Sequence, residues 1–133
     1  MQNDAPFSDT SNPAIQTMIT ALDKYAPGVT TAESWGENDV FAWASGLLFT
    51  AAAEAANLGS NATPAQVVSG LYALHNNNLG GIAPPISYTN DGKGHQIYCS
   101  FVQGVEGNKF TTPQGQALTC APVTTLAPMI AAL

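Results

Sequence analysis

The chain contains no arginine, and its three lysines stand against nine aspartates and glutamates in 133 residues. A protein that binds nucleic acid neutralises phosphates with Lys and Arg, and a protein that adheres to an anionic membrane also needs them. We therefore expect no nucleic-acid partner and no binding to a charged lipid surface. Charged residues make up only 9% of the chain, and with its many Ala, Thr, Asn and Ser residues the composition is typical of an exported protein.

Cysteine is scarce as well, since Cys99 and Cys120 are the only two in the chain. In an exported protein we expect them to form a disulfide, which would stabilise the fold by roughly 3 kcal/mol through loop-closure entropy. The alternative is a pair of buried free thiols in a cytosolic protein. Residues 1–4 start polar, with no apolar run behind them, so the pattern predicts no signal peptide and, for an exported chain, a mature or trimmed form.

No apolar run is both long and bulky enough to favour a membrane span. The most apolar stretch is residues 39–59, DVFAWASGLLFTAAAEAANLG. Its apolar residues recur at helical spacing, and few polar residues interrupt them. A helix that is apolar around most of its circumference has to be covered on several sides, so the sequence predicts a long helix buried in something larger. Its apolar positions are Val40, Ala44, Leu47, Ala51, Ala55 and Leu58, with Leu48 and Ala52 beside them.

Two further helices are predicted from their first residues. Asn12 precedes Pro13, which favours a helix that starts there and buries a face of apolar residues. Thr63 and Gln66 have the spacing of a capping box, which predicts a third helix. The long helix is predicted to be capped by Asn38 or Asp39 and to end at Gly59. The predicted buried face of the first helix comprises Ile15, Met18, Ile19, Leu22 and Tyr25.

Strands are predicted mainly in the second half of the chain. Residues 29–38 form a β-prone run followed by a loop, residues 86–89 a short strand, and residues 96–105 a longer strand with alternating apolar positions. Gly107-Asn108 predicts a turn that leads into a short return strand. The predicted organisation is an extended leading segment (1–11), one domain portion (12–120) and an apolar tail (121–133).

The order of these segments resembles a known family. FAWASGLLFTAAAEAANLG, TPAQVVSGLYAL, LGGIAPPISYT and QIYCSFVQGVEGNKF follow one another, and NPAIQTMITALDKYAPG precedes them. Together they are similar to the carboxy-terminal third of type I extracellular solute-binding proteins, the branched-chain amino acid and related receptors of ABC importers. The resemblance implies an α/β fold: part of a periplasmic-binding-protein lobe, with three helices, short strands and a carboxy-terminal β-hairpin. Such a lobe would be an incomplete domain.

The resemblance also implies a function and partners. The chain would be part of a receptor that captures a small solute, such as an amino acid, an amide or an aromatic acid, and presents it to an ABC permease. The remaining lobes of the receptor, or a second copy of the chain, would complete the site. The receptor would be exported and possess no cofactor. The implied ligand-binding residues open the long helix: Trp35, Asn38, Asp39, Phe41 and Trp43.

Other interpretations remain open for these residues and for the whole chain. Asn38 or Asp39 is equally explained as a helix cap, and Phe41 and Trp43 as core residues. His75, His95, Cys99 and Cys120 match no usual zinc spacing, and no nucleophile motif accompanies either histidine, so we expect neither a metal site nor catalysis. The alternative function is a small secreted interaction module, held by a disulfide, that forms homo-oligomers through exposed apolar surface.

Overall fold

The structure is a computed structural model that describes residues 4–90 and 97–122 of the chain. Three helices come first, and a 3₁₀ turn at Leu79–Gly81 and four short strands follow them. The strands form two separate antiparallel ribbons, β1 with β4 and β2 with β3. The described part is therefore a small mixed helix and strand fold, which confirms the predicted α/β class in its general form. The elements are α1 (Pro13–Tyr25), α2 (Glu37–Ala55), α3 (Pro64–Tyr72), β1 (Cys99–Ser100), β2 (Gly104–Glu106), β3 (Lys109–Thr111) and β4 (Thr119–Cys120).

The predicted caps of α1 and α3 are confirmed. The backbone N–H of Ala14 donates to the side chain of Asn12 over 2.8 Å, and Pro13 takes the first helical position. At α3 the N–H of Thr63 donates to the side chain of Gln66 over 2.9 Å. Both caps involve residues close in sequence, which is why the sequence alone predicts them.

The ends of α2 differ from the prediction. The helix begins at Glu37 after Gly36, and the Gly36 N–H donates to the Asp39 carboxylate over 2.9 Å, so Asp39 caps from inside the first turn. The helix ends at Ala55 rather than at Gly59, because Asn57 already adopts a left-handed conformation (φ 50°). Asparagine tolerates this conformation better than most residues, and it ends the helix before the glycine is reached.

Most of the predicted strands are shorter or absent in the described residues. Residues 29–36 form successive turns instead of a strand, since the N–H groups of Ala32 and Trp35 each donate three residues back. Within residues 86–89 the structure has only isolated bridges, at Ile86 and Tyr88, and the bridge of Ile86 is to Asn77. The predicted strand 96–105 is divided, because β1 pairs with β4 whereas β2 pairs with β3 through the predicted turn at Gly107 (φ 61°).

The terminal segments fit the predicted organisation only in part. Residues 4–12 contain turns, one closed by the Asp9 N–H donating to the carbonyl of Pro6, and so are not extended throughout. The segment is nonetheless tied to the domain, because the Ala5 N–H donates to the Ile82 carbonyl over 2.7 Å. Of the predicted apolar tail, residues 123–133 lie outside the described residues.

The core lies where α1 and the first half of α2 meet the segment around the 3₁₀ turn. Tyr25 of the predicted face is 76% exposed, because α1 extends beyond this core at its carboxyl end. Ile19 and Leu22 of that face are half-buried against the core. The fully packed members of the core are Ala5, Ile15, Met18, Val40, Ala44, Leu79, Ile82, Ala83, Ile86 and Phe101.

Only one side of α2 is packed against other described parts of the chain. Val40, Ala44 and Ala52 are buried, whereas Phe41 is 64% exposed and Phe49 is 58% exposed. The described residues therefore do not enclose the helix on several sides as its composition predicts. No described helix combines the length and apolar character that a membrane crossing requires.

The second half of α2 packs tightly against α3 at Gly70. A methyl group placed on Gly70 would overlap the carbonyl oxygen of Ala52 and lie 3.0 Å from the Ala56 side chain. The absence of a side chain at this position therefore allows the two helices to approach closely.

This contact yields a paired prediction about stability. Gly70→Ala should lower the free energy of unfolding by about 2 kcal/mol, because the added methyl forces the helices apart. Gly46→Ala is the matched control, since a Cβ there meets nothing within 4 Å. It should raise stability by about 0.5 kcal/mol through helix propensity. Urea unfolding followed by circular dichroism measures both, and equal effects of the two variants would contradict the packing described.

Candidate functional site

An apolar cavity of about 280 Å³ lies beside α2, and we call it the α2 cavity. One wall comes from α2, and the other comes from the segment that carries the 3₁₀ turn. Its rim includes two exposed apolar side chains, Phe41 (64% exposed) and Ile97 (39% exposed). The cavity is therefore open to solvent on that side. It is lined by Asp4, Phe41, Ala44, Ser45, Leu48, Leu79, Ala83, Ile86, Tyr88 and Ile97.

Helical spacing explains the α2 wall. Ala44 and Ser45 follow Phe41 by three and four residues and precede Leu48 by four and three, so the four side chains lie on one face of the helix. Ala44 is buried at the base, and its short side chain leaves space beneath the larger neighbours. Ser45 presents no free donor to the cavity, because its hydroxyl donates to the Phe41 carbonyl over 2.9 Å. This wall of the cavity is thus predominantly apolar.

One carboxyl group lines the cavity, and a second lies near it at the start of α2. Asp4 lines the cavity, and Glu37 lies one helical turn before Phe41. The pKa of Glu37 is raised to about 7, mainly because the group is buried and in smaller part because of the negative charge of Asp4. Burial also raises the pKa of Asp4 above its usual range. One oxygen of Glu37, Oε2, is buried and has no hydrogen-bond partner. Two poorly solvated carboxyl groups therefore lie close together here, and each keeps its proton to a higher pH than usual.

The structure separates the five residues predicted to bind ligand. Phe41 alone lines the α2 cavity. Trp43 is two positions further along the helix, which turns it to a different side, where it packs half-buried against the core. Asn38 is exposed, and the Asp39 carboxylate is engaged with the Gly36 N–H. Asp39 therefore acts as a helix cap, the alternative that its position at the start of α2 left open.

Trp35 belongs to a separate aromatic cluster. Its ring meets the ring of Phe7 edge-on with centroids 6.2 Å apart. Phe7 in turn contacts Phe110 of β3 with centroids 4.9 Å apart. These contacts connect the amino-terminal segment to the hairpin. They place Trp35 in packing between elements rather than in the α2 cavity.

Sequence reasoning missed most of the cavity lining. Glu37 is not a lining residue, but its position four residues before Phe41 on the same helix face can be read from the sequence. Asp4 and Tyr88 have none, because each reaches the cavity through contacts between distant parts of the chain. The Ala5 N–H bond to Ile82 holds Asp4 in place, and the Tyr88 N–H donates to the Leu74 carbonyl over 3.4 Å.

The predicted disulfide is confirmed and supports one side of the cavity. Cys99 of β1 is bonded to Cys120 of β4. The Ala121 N–H then donates to the Tyr98 carbonyl over 2.8 Å, which extends the ribbon to the residue after Ile97. The disulfide thus fixes β1, which begins two residues after the rim residue Ile97. A disulfide is typical of an oxidising environment such as the cell exterior.

A metal or catalytic centre has no support in the described residues. Within residues 4–90 and 97–122, no group of three or more Asp, Glu, His or Cys side chains is arranged to hold a metal ion. His75 is exposed just beyond α3, and His95 falls outside the described residues. The prediction that the chain has no metal, no cofactor and no catalytic activity stays a prediction.

The raised pKa of Glu37 gives a prediction about pH. In the unfolded chain Glu37 loses its proton near pH 4.5, whereas in the folded chain it keeps it up to about pH 7. The folded state binds more protons between these values, so stability should increase as pH falls from 8 to 5. We expect a contribution of about 1 kcal/mol, since solvent screens a half-exposed group.

Thermal unfolding of Glu37→Gln at both pH values measures this contribution. The wild-type chain should be more stable at pH 5 than at pH 8, and the variant should lose this difference in stability. Glu54→Gln is the control, because Glu54 is an exposed glutamate on the same helix. This variant should still be more stable at pH 5 than at pH 8. An identical pH profile for Glu37→Gln and wild type would contradict the burial of this carboxyl group.

Comparisons with known proteins leave the site to be interpreted from its own residues. No protein-family model matches the chain, and no match was found among curated proteins or among solved structures. The geometry of the α2 cavity is thus the observation on which a functional conclusion can be built.

Proposed function

We propose that the chain is part of an extracellular solute-binding receptor that captures a small solute for ABC-type import. The solute would be an amino acid, an amide or an aromatic acid. One partner would be an ABC permease, and the other would be either the remaining lobes of the receptor or a second copy of the chain. The α2 cavity would supply the contacts from this chain. Its open, apolar lining with a carboxylate at one end is the single observation that carries the proposal.

The character of the cavity supports solute capture. Small-molecule sites are concave and mostly apolar, with a few polar groups that orient the ligand. The α2 cavity has this character, since Asp4 is its one ionisable acid among apolar and aromatic neighbours. Its volume of about 280 Å³ is near the lower end of the usual range, which suits a small metabolite rather than a peptide.

The exposed rim supports a site completed by another part of a receptor. Phe41 and Phe49 lie exposed on α2, although their helix is apolar around most of its circumference. A second lobe that closes over the open side would bury Phe41 and Ile97 together with the solute. Solute affinity and the signal to the permease would then depend on the same hinge closure. This arrangement accounts for apolar surface that would otherwise face water.

The native polypeptide tests the receptor proposal. An antibody raised against this 13.7 kDa chain should detect, in the source cells, a protein about three times that mass, as expected for two domains of ordinary size. The protein should appear in the exported or membrane fraction and should co-purify with a permease. A 13.7 kDa band confined to the cytosol would contradict the proposal.

A second candidate function is a disulfide-held interaction module that forms homo-oligomers. The observation that favours it is the apolar surface of the hairpin, where Val105 is 69% exposed and Phe110 is 55% exposed. Sedimentation velocity tests this second candidate. A module of this kind should form a discrete oligomer that Val105→Asp dissociates, whereas Val68→Asp, on an exposed position of α3, should leave it intact. A monomer at all concentrations would exclude this function.

A further inference from the structure

The lining of the α2 cavity favours one class of solute. We propose that the cavity binds a small solute that has an apolar body and a protonated amine, with the amine next to Asp4 and the body between Phe41 and Tyr88. The inference rests on the proposed function and narrows it from solutes in general to cationic amines.

The size of the cavity limits the body of the solute. Its volume of about 280 Å³ corresponds to roughly nine water molecules at about 30 Å³ each. That space suits one ring with a short side chain. Ala44, Ala83 and Ile86 form the buried base, so the part of the solute that enters deepest meets only apolar groups.

The acidic character of the site indicates which polar group the solute carries. Asp4 lines the cavity, and it is close enough to Glu37 for its negative charge to raise the pKa of that residue. Among the described lining residues none is a lysine, an arginine or a histidine, and the whole chain has a formal net charge of −6. A cation here gains a poorly solvated carboxylate as its partner, whereas an anion meets like charge.

Aromatic rings reinforce the preference for a cation. Phe41 and Tyr88 both line the cavity, from α2 and from the opposite wall. An ammonium group is attracted to the face of an aromatic ring, and the attraction increases when water is excluded. The same rings pack against an apolar body. The two walls therefore suit both parts of an aromatic or aliphatic amine.

Three probes with the same ring test the charge preference. The full chain is titrated by isothermal calorimetry with 2-phenylethylamine, with 2-phenylethanol and with 3-phenylpropionate. We expect the amine to bind about tenfold more tightly than the alcohol, and the carboxylate to bind more weakly than either. Equal affinity for the amine and the alcohol would overturn the inference.

Asp4→Asn identifies the carboxylate responsible. The variant should bind the amine about tenfold more weakly than the wild-type chain does, which is as weakly as the alcohol. Its affinity for the alcohol should be unchanged. Glu33→Gln removes one negative charge at an exposed position and serves as the control for net charge. An equal loss in both variants would show that the amine responds only to overall charge, which would contradict the inference.

A matched pair on α2 locates the site. Ser45→Leu should fill the cavity and abolish binding of the amine and the alcohol. Thr50→Leu is the control, because Thr50 lies on the same helix outside the α2 cavity and its hydroxyl likewise donates to the carbonyl four residues back.

The outcomes distinguish this inference from the proposed function. If Ser45→Leu abolishes binding but the amine is not preferred, solute capture in the α2 cavity stands and the amine class is wrong. If no probe binds, or if binding survives in Ser45→Leu, the α2 cavity is not a solute site. That result overturns both the inference and the role given to the cavity.

Discussion

The packing of α2 against the segment that follows α3 is the contact on which the rest of the structure depends. Val40 and Ala44 of α2 are buried in the same cluster as Leu79, Ile82 and Ala83. Because Ala44 is small, the helix comes close to that segment at its base and leaves the α2 cavity above it. The same segment holds the amino-terminal residues through the Ala5 bond to Ile82, which brings Asp4 to the cavity. One contact thus determines both the core and the composition of the candidate site.

Features encoded by neighbouring residues could be predicted from the sequence. The caps at Asn12 and Thr63 and the turn at Gly107 all appear in the structure. The disulfide joins distant residues, and it could be predicted because the chain has only two cysteines. Strands were predicted less well, because alternation in residues 96–105 indicates an extended chain but not which partner each part pairs with. The end of α2 was misplaced since Asn57 competes with Gly59 for the left-handed position.

The candidate site was largely beyond prediction, and the reason is physical. Of the five residues that the resemblance implies, Phe41 lines the cavity, whereas Trp35, Asp39 and Trp43 make other contacts and Asn38 is exposed. Residues adjacent in sequence at the start of a helix are directed to different sides of it. The groups that give the cavity its charge and second wall come from distant segments, and only the folded chain brings them together.

Solute capture is the role proposed for the α2 cavity, and amide chemical shifts measured during titration with 2-phenylethylamine test it most directly. We expect saturable shifts for Ser45, Leu48 and Ala83, which line the cavity from its two walls. Shifts confined to Trp35 and Trp43, or no shifts at any amide, would contradict it.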